Sequence, residues 1–123
     1  MAAMTRPRRR HAIACDLGAL HPVERARRAE LSASLHRRAL RVEEEPGGYR
    51  IHLPDDPEVQ REALELIQLE RRCCPFLTLE LGFGVEHDQT VFRVGGGPGV
   101  KDFLRETAVL GCAGVPEDEC TCA

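Results

Sequence analysis

The chain has 123 residues, a formal net charge of -3 at pH 7, 42% hydrophobic and 30% charged residues. That length suits one domain with a modest core, and the composition suits a globular protein. The mildly negative charge argues against general nucleic-acid binding. No stretch approaches the roughly 18 apolar residues of a membrane helix, so no membrane partner is expected.

Residues 1–14 read as a flexible basic arm, carrying the run Thr5 to His11 (TRPRRRH). The apolar stretch behind it is short and broken by Asp16 and Gly18, which does not fit a signal peptide. A cytoplasmic location is expected. Cysteines there stay reduced, which favours ligands or reactive thiols over disulfide staples.

Pro22 is placed to open a helix through Ala39, with Leu31, Leu35 and Ala39 as a narrow apolar stripe. Leu40 to Glu43 alternates, Pro46-Gly47-Gly48 turns, and Tyr49 to Leu53 alternates again, predicting a hairpin. Asp56 is a suitable N-cap and Pro57 a suitable first residue for a second helix. It should end near Cys73, because Pro75 disfavours helical geometry at Cys74. Leu77, Leu79 and Leu81 predict a strand, His87-Asp88-Gln89 a turn, and Thr90 to Val94 the returning strand. Gly95 to Gly99 reads as a loop, and Val100 to about Leu110 as a last helix with Val100, Phe103, Leu104 and Thr107 on one face. Helix, hairpin, helix, hairpin, helix makes an α+β domain over residues 15–110, its small antiparallel sheet covered by helices. Residues 111–123 read as a flexible cysteine-bearing tail.

The second helix carries the chemistry. At about 100° per residue, Val59, Ala63, Leu66 and Ile67 share one stripe. Glu70 falls near its middle, with Cys73 just off one edge and Cys74 inside the other. A buried carboxylate must be protonated, paired or ligated. Glu70 is therefore either bridged to an arginine of the first helix or a proton donor or ligand beside the thiols. Redox cysteines gain acidity at a helix N-terminus. Cys73 and Cys74 stand at the opposite end, where the dipole disfavours a thiolate, and no Cys-x-x-Cys is present here. A soft cation, which keeps thiolates ionised, fits better.

Ile13-Ala14-Cys15-Asp16-Leu17 is an apolar island that could dock Cys15 over the pair. Three thiolates suit mercury(II) or arsenic(III). Tetrahedral zinc needs a fourth ligand, which His21, His52 or His87 could supply. Cys112, Cys120 and Cys122 form a second group, with Cys120 and Cys122 too closely spaced for a usual structural zinc site. Their place suits an accessory capture of ions.

Ile13 to Leu20, Pro22 to Arg28, Glu70-Arg71-Arg72-Cys73-Cys74-Pro75-Phe76 and Gly99 to Leu104 resemble a family of small, mostly uncharacterised bacterial proteins associated with heavy-metal and metalloid resistance. The Glu-Arg-Arg-Cys-Cys-Pro-Phe segment is its most specific part, and the resemblance brings no established reaction. Organomercurial lyase offers a chemical analogy only, two cysteines with a proton-donating acid, in a different order and spacing.

The expected function is a soft-metal or metalloid binding protein in detoxification or metal handling, with mercury(II) the leading ion and arsenic(III), copper(I) or zinc behind it. The metal ligands would be Cys73, Cys74 and Cys15, with Cys112, Cys120 and Cys122 accessory. One rival is an organometal-cleaving lyase with Glu70 as catalytic acid. Another is a metal-free thiol-redox protein. No nucleotide cofactor is expected, and a homodimer is compatible with the sequence.

Overall fold

A computed structural model describes residues 13–85 and 89–106. The helices are α1 (Pro22–Arg38), α2 (Pro57–Cys73) and α3 (Val100–Glu106). The strands are β1 (Arg41–Glu45), β2 (Gly48–Leu53), β3 (Leu77–Phe83) and β4 (Thr90–Gly96). The expected α+β order is present, with one addition, a 3₁₀ turn at Leu17–Ala19 before α1.

Both hairpins join one antiparallel sheet in the order β1-β2-β4-β3. The two hairpins meet between β2 and β4, where Ile51 stands opposite Phe92 and Tyr49 opposite Val94. Side chains alternate across a pleated sheet. Tyr49, Ile51, Leu53, Phe92 and Val94 thus face the helices and enter the core with Leu31, Leu35, Val59, Ala63 and Leu66. Burying each Val, Leu, Ile or Phe side chain among these contributes about 1.5–3 kcal/mol. The opposite sheet face is polar, with Arg50 beside Arg93 and Glu80 beyond.

Glycine explains where the strand boundaries depart from the sequence reading. β4 continues past Val94 through Gly95 and Gly96, which the sequence assigns to a loop. A Cβ on Gly48 would lie 2.0 Å from the Val94 carbonyl oxygen, and one on Gly95 would lie 2.6 Å from that of Gly47. These glycines permit close strand approach rather than breaking the strand.

The α1–α2 pair positions the site. Asp56 caps α2 by accepting from the Glu58 N–H at 2.8 Å. At the other end Cys74 leaves the α region, which Pro75 disfavours, with φ -129° and ψ 67°, while its N–H still donates to the Glu70 carbonyl at 2.7 Å. Arg27 binds Glu65, Ser34 donates to Glu62, and Arg72 reaches back to Glu24. Numbers rise along one helix as they fall along the other, so α1 and α2 run antiparallel. The buried residues of α2 are Val59, Ala63, Leu66, Leu69, Glu70 and Cys73. This arc is rotated from the predicted stripe toward Leu69 and Cys73, and Ile67 is only partly buried. The cause is that α2 is covered by α1 as well as by the sheet.

α3 packs over β4 and β2, with Val100 and Leu104 buried. Phe103 meets Phe76 edge to face, with ring centroids 5.0 Å apart. Thr107, the remainder of the predicted last helix, the His87-Asp88 part of the predicted turn, the basic run and the tail lie outside the described residues. Among the described residues no helix is long and apolar enough to cross a membrane.

Candidate functional site

The segment before α1 is docked onto the end of α2 at several points. The Asp16 N–H donates to the Cys73 carbonyl at 2.7 Å. The Asp16 side chain turns back to accept from the Gly18 N–H, which closes the 3₁₀ turn. Arg72 donates to the Ala19 carbonyl at 3.0 Å and forms an ion pair with Glu24 in the first turn of α1. Leu20 is 2% exposed. Ile13 packs against Gly99, where a Cβ would come within 2.9 Å of Ile13 Cδ1. The segment is docked as expected, but through hydrogen bonds and Leu20, while Ile13 itself stays 40% exposed.

That docking carries Cys15 to the vicinal pair. Cys15 Sγ is 2.8 Å from Cys74 Sγ, which in turn is 3.5 Å from Cys73 Sγ. No disulfide links these three cysteines to one another. Cys73 and Cys74 are 0% exposed, and only Cys15 is partly open to solvent. The structure therefore brings together the three thiols that sequence reasoning grouped.

Glu70 completes the cluster. Its carboxylate and the sulfurs of Cys73 and Cys74 offer ligand atoms all within 4.8 Å of one another. The carboxylate is 1% exposed and its Oε1 lies 2.8 Å from Arg28 Nε. This is the arginine bridge from the first helix that the sequence left open, now with a named partner. Arg28 also donates from Nη2 toward Cys15 Sγ at 3.8 Å. One guanidinium therefore spans the acid on α2 and the thiol on the docked segment. A signal for Arg28 exists in the sequence, because positions 28, 31 and 35 continue one helical stripe.

Charges in this pocket are strongly coupled. Burial raises the Glu70 carboxyl from its ordinary 4.5 to about 7, against the opposing pull of Arg28. Hydrogen bonds from Cys15 and then Cys74 hold the Cys73 thiol well below its ordinary range. Cys74 is pushed up. The hydrogen bond with Cys15 favours its ionisation, but donation toward Cys73, burial and the negative charges of Glu70 and Cys73 outweigh it. An ionised Cys73 would thus be stabilised by its neighbours acting as donors. The S–H donors and the Arg28 guanidinium act against the helix-end dipole, which disfavours a thiolate.

Among the described residues, neither His21 nor His52 is at this site. His21 is exposed at the N-cap of α1, where its N–H donates to Glu24. His52 is 3% exposed and lies across the sheet, between Gln89 on Nδ1 and Glu43 on Nε2, each at 2.6 Å. His87 and the accessory cysteines Cys112, Cys120 and Cys122 lie outside the described residues.

No protein-family model, curated protein or solved structure matches the chain. The site is therefore interpreted from its own residues. Three sulfurs, one of them favoured as a thiolate, with a buried acid–guanidinium pair, can bind a thiophilic ion, exchange thiol for disulfide, or deliver a proton.

Proposed function

We propose that this protein binds a soft metal or metalloid ion through Cys15, Cys73 and Cys74, in detoxification or handling of that ion. The observation that supports this reading is the placement of Cys15, from a segment 59 positions away, 2.8 Å from Cys74. Thiolates are soft donors that select soft ions over the hard cations preferred by carboxylates and carbonyls. A bound cation would also compensate the negative charge that several ionised thiols bring to a buried site. Cys112, Cys120 and Cys122 would serve as an accessory capture group, and the ion-binding form would act with reduced thiols. The test is titration of the reduced protein with mercury(II), arsenite, copper(I) and zinc, followed by native mass spectrometry. One tightly held soft ion is expected, and its loss in Cys73→Ser and Cys74→Ser. Unchanged affinity in both variants would refute the reading.

A second reading, an organometal-cleaving lyase, draws support from Glu70. Its carboxyl is held near neutrality and lies 4.0 Å from Cys73 Sγ. A proton there could be delivered to a carbon–metal bond whose metal is held by the thiols. Glu70→Gln separates the readings, because it spares ion binding in the first and abolishes turnover of an organomercurial in the second.

A further inference from the structure

We propose that the ion suited to this site is a trivalent metalloid taken up as its neutral trihydroxide, rather than divalent mercury. The inference rests on the thiolate-site reading and names its substrate class. Sulfur spacing is the first argument. Sulfurs bound at about 2.3 Å to a tetrahedral ion stand about 3.8 Å apart. Here the Cys73 and Cys74 sulfurs stand 3.5 Å apart, with the Cys15 sulfur against Cys74. An ion that carries a lone pair gathers its three ligands on one side in a pyramid, which suits closely grouped sulfurs better than a tetrahedron or a flat triangle does.

The donor count agrees. Three thiols converge, and the nearest other donor, Glu70, is engaged by Arg28 at 2.8 Å. His52 is across the sheet between Gln89 and Glu43. Among the described residues the site thus offers three sulfurs, the number a pyramidal ion requires.

Charge is the third argument. A trihydroxide condenses with three thiols to give three element–sulfur bonds and three waters. Three element–oxygen bonds break, each thiol proton leaves on a hydroxide, and no electrons are transferred. Where Cys73 begins as a thiolate, its charge departs with one hydroxide. The product is neutral, and Arg28 and Glu70 continue to balance each other. A divalent ion on three thiolates would leave one negative charge beside a carboxylate that is 1% exposed, and a buried unpaired charge is heavily penalised. Entry begins at Cys15, the one partly exposed thiol of the three.

The test uses the full chain carrying Cys112→Ser, Cys120→Ser and Cys122→Ser, kept reduced by a phosphine, with arsenite as probe. Native mass spectrometry should show one arsenic gained and three hydrogens lost. Alkylation mapping should show Cys15, Cys73 and Cys74 protected together. Adding Cys15→Ser, or Cys15→Ala, should weaken arsenite binding by about ten-fold or more. Loss of only two hydrogens, or full affinity without Cys15, overturns the inference. Protection of all three thiols by mercury(II) but not by arsenite overturns it too, while leaving the thiolate-site reading intact. Protection by neither ion removes both. If either Cys15 variant fails to fold, hydrogen loss and protection in the parent chain still decide.

Discussion

Cys15 Sγ and Cys74 Sγ lie 2.8 Å apart although 59 positions separate them in the chain. The contact depends on a short segment that makes its own backbone bond to Cys73 and is held by Arg72.

Arg28 and Glu70 form a buried ion pair. Removing one partner leaves an uncompensated buried charge, which costs about 3–5 kcal/mol. Arg28→Met should therefore lower stability by that amount in urea unfolding. The double variant Arg28→Met/Glu70→Leu should recover much of the loss. A double variant as unstable as the single one would show that Arg28 contributes by packing rather than by charge.

Arg72 is half exposed, so solvent screens its ion pair with Glu24 and the pair should add little to stability. Its bond to the Ala19 carbonyl holds the Cys15 segment. Arg72→Ala should accordingly leave thermal melting nearly unchanged while alkylation of Cys15 becomes faster. Equal alkylation rates would remove Arg72 from the docking account.

Much of this arrangement is legible in the sequence. Pro57, Asp56 and Pro75 define α2, and helical rotation brings Glu70 and the vicinal cysteines to its buried side. The apolar Ile13 to Leu17 island points to docking. Arg28 is harder to foresee, because a charged residue on an apolar stripe is explained only by its partner on another helix. The acidity of Cys73 is also hidden, since it arises from S–H donors brought together by tertiary contact. The glycines of β4 signal a loop until the close approach of Gly48 is known.

Glu70 makes stability depend on pH. Its folded carboxyl is raised from 4.5 to about 7, so the folded state holds a proton that the unfolded state releases. The contribution of this group is fully present below pH 4.5 and is lost as pH rises through about 7. Cys73, lowered in the fold, acts in the opposite sense across the same range. The difference in unfolding free energy between the parent chain and Glu70→Gln isolates the carboxyl. That difference should decline from pH 4.5 to 7, and a flat difference would mean that Glu70 is ionised throughout.

Oxidation is expected to compete with ion binding. A hydroperoxide should join Cys15 to Cys74, the closest sulfurs, while the oxidant is reduced to an alcohol and water. Peptide mapping should find this bridge ahead of any other among these three cysteines, and the oxidised protein should not take up arsenite. A predominant bridge between Cys73 and Cys74 would contradict the observed geometry.

The most direct test of the three-thiol site is X-ray absorption on the one-to-one complex with the soft ion retained most tightly. The sample is the reduced chain carrying Cys112→Ser, Cys120→Ser and Cys122→Ser. Three sulfur neighbours are expected, falling to two when Cys15→Ser is added. A shell of oxygen or nitrogen, or a sulfur count indifferent to Cys15, would contradict a site built from Cys15, Cys73 and Cys74.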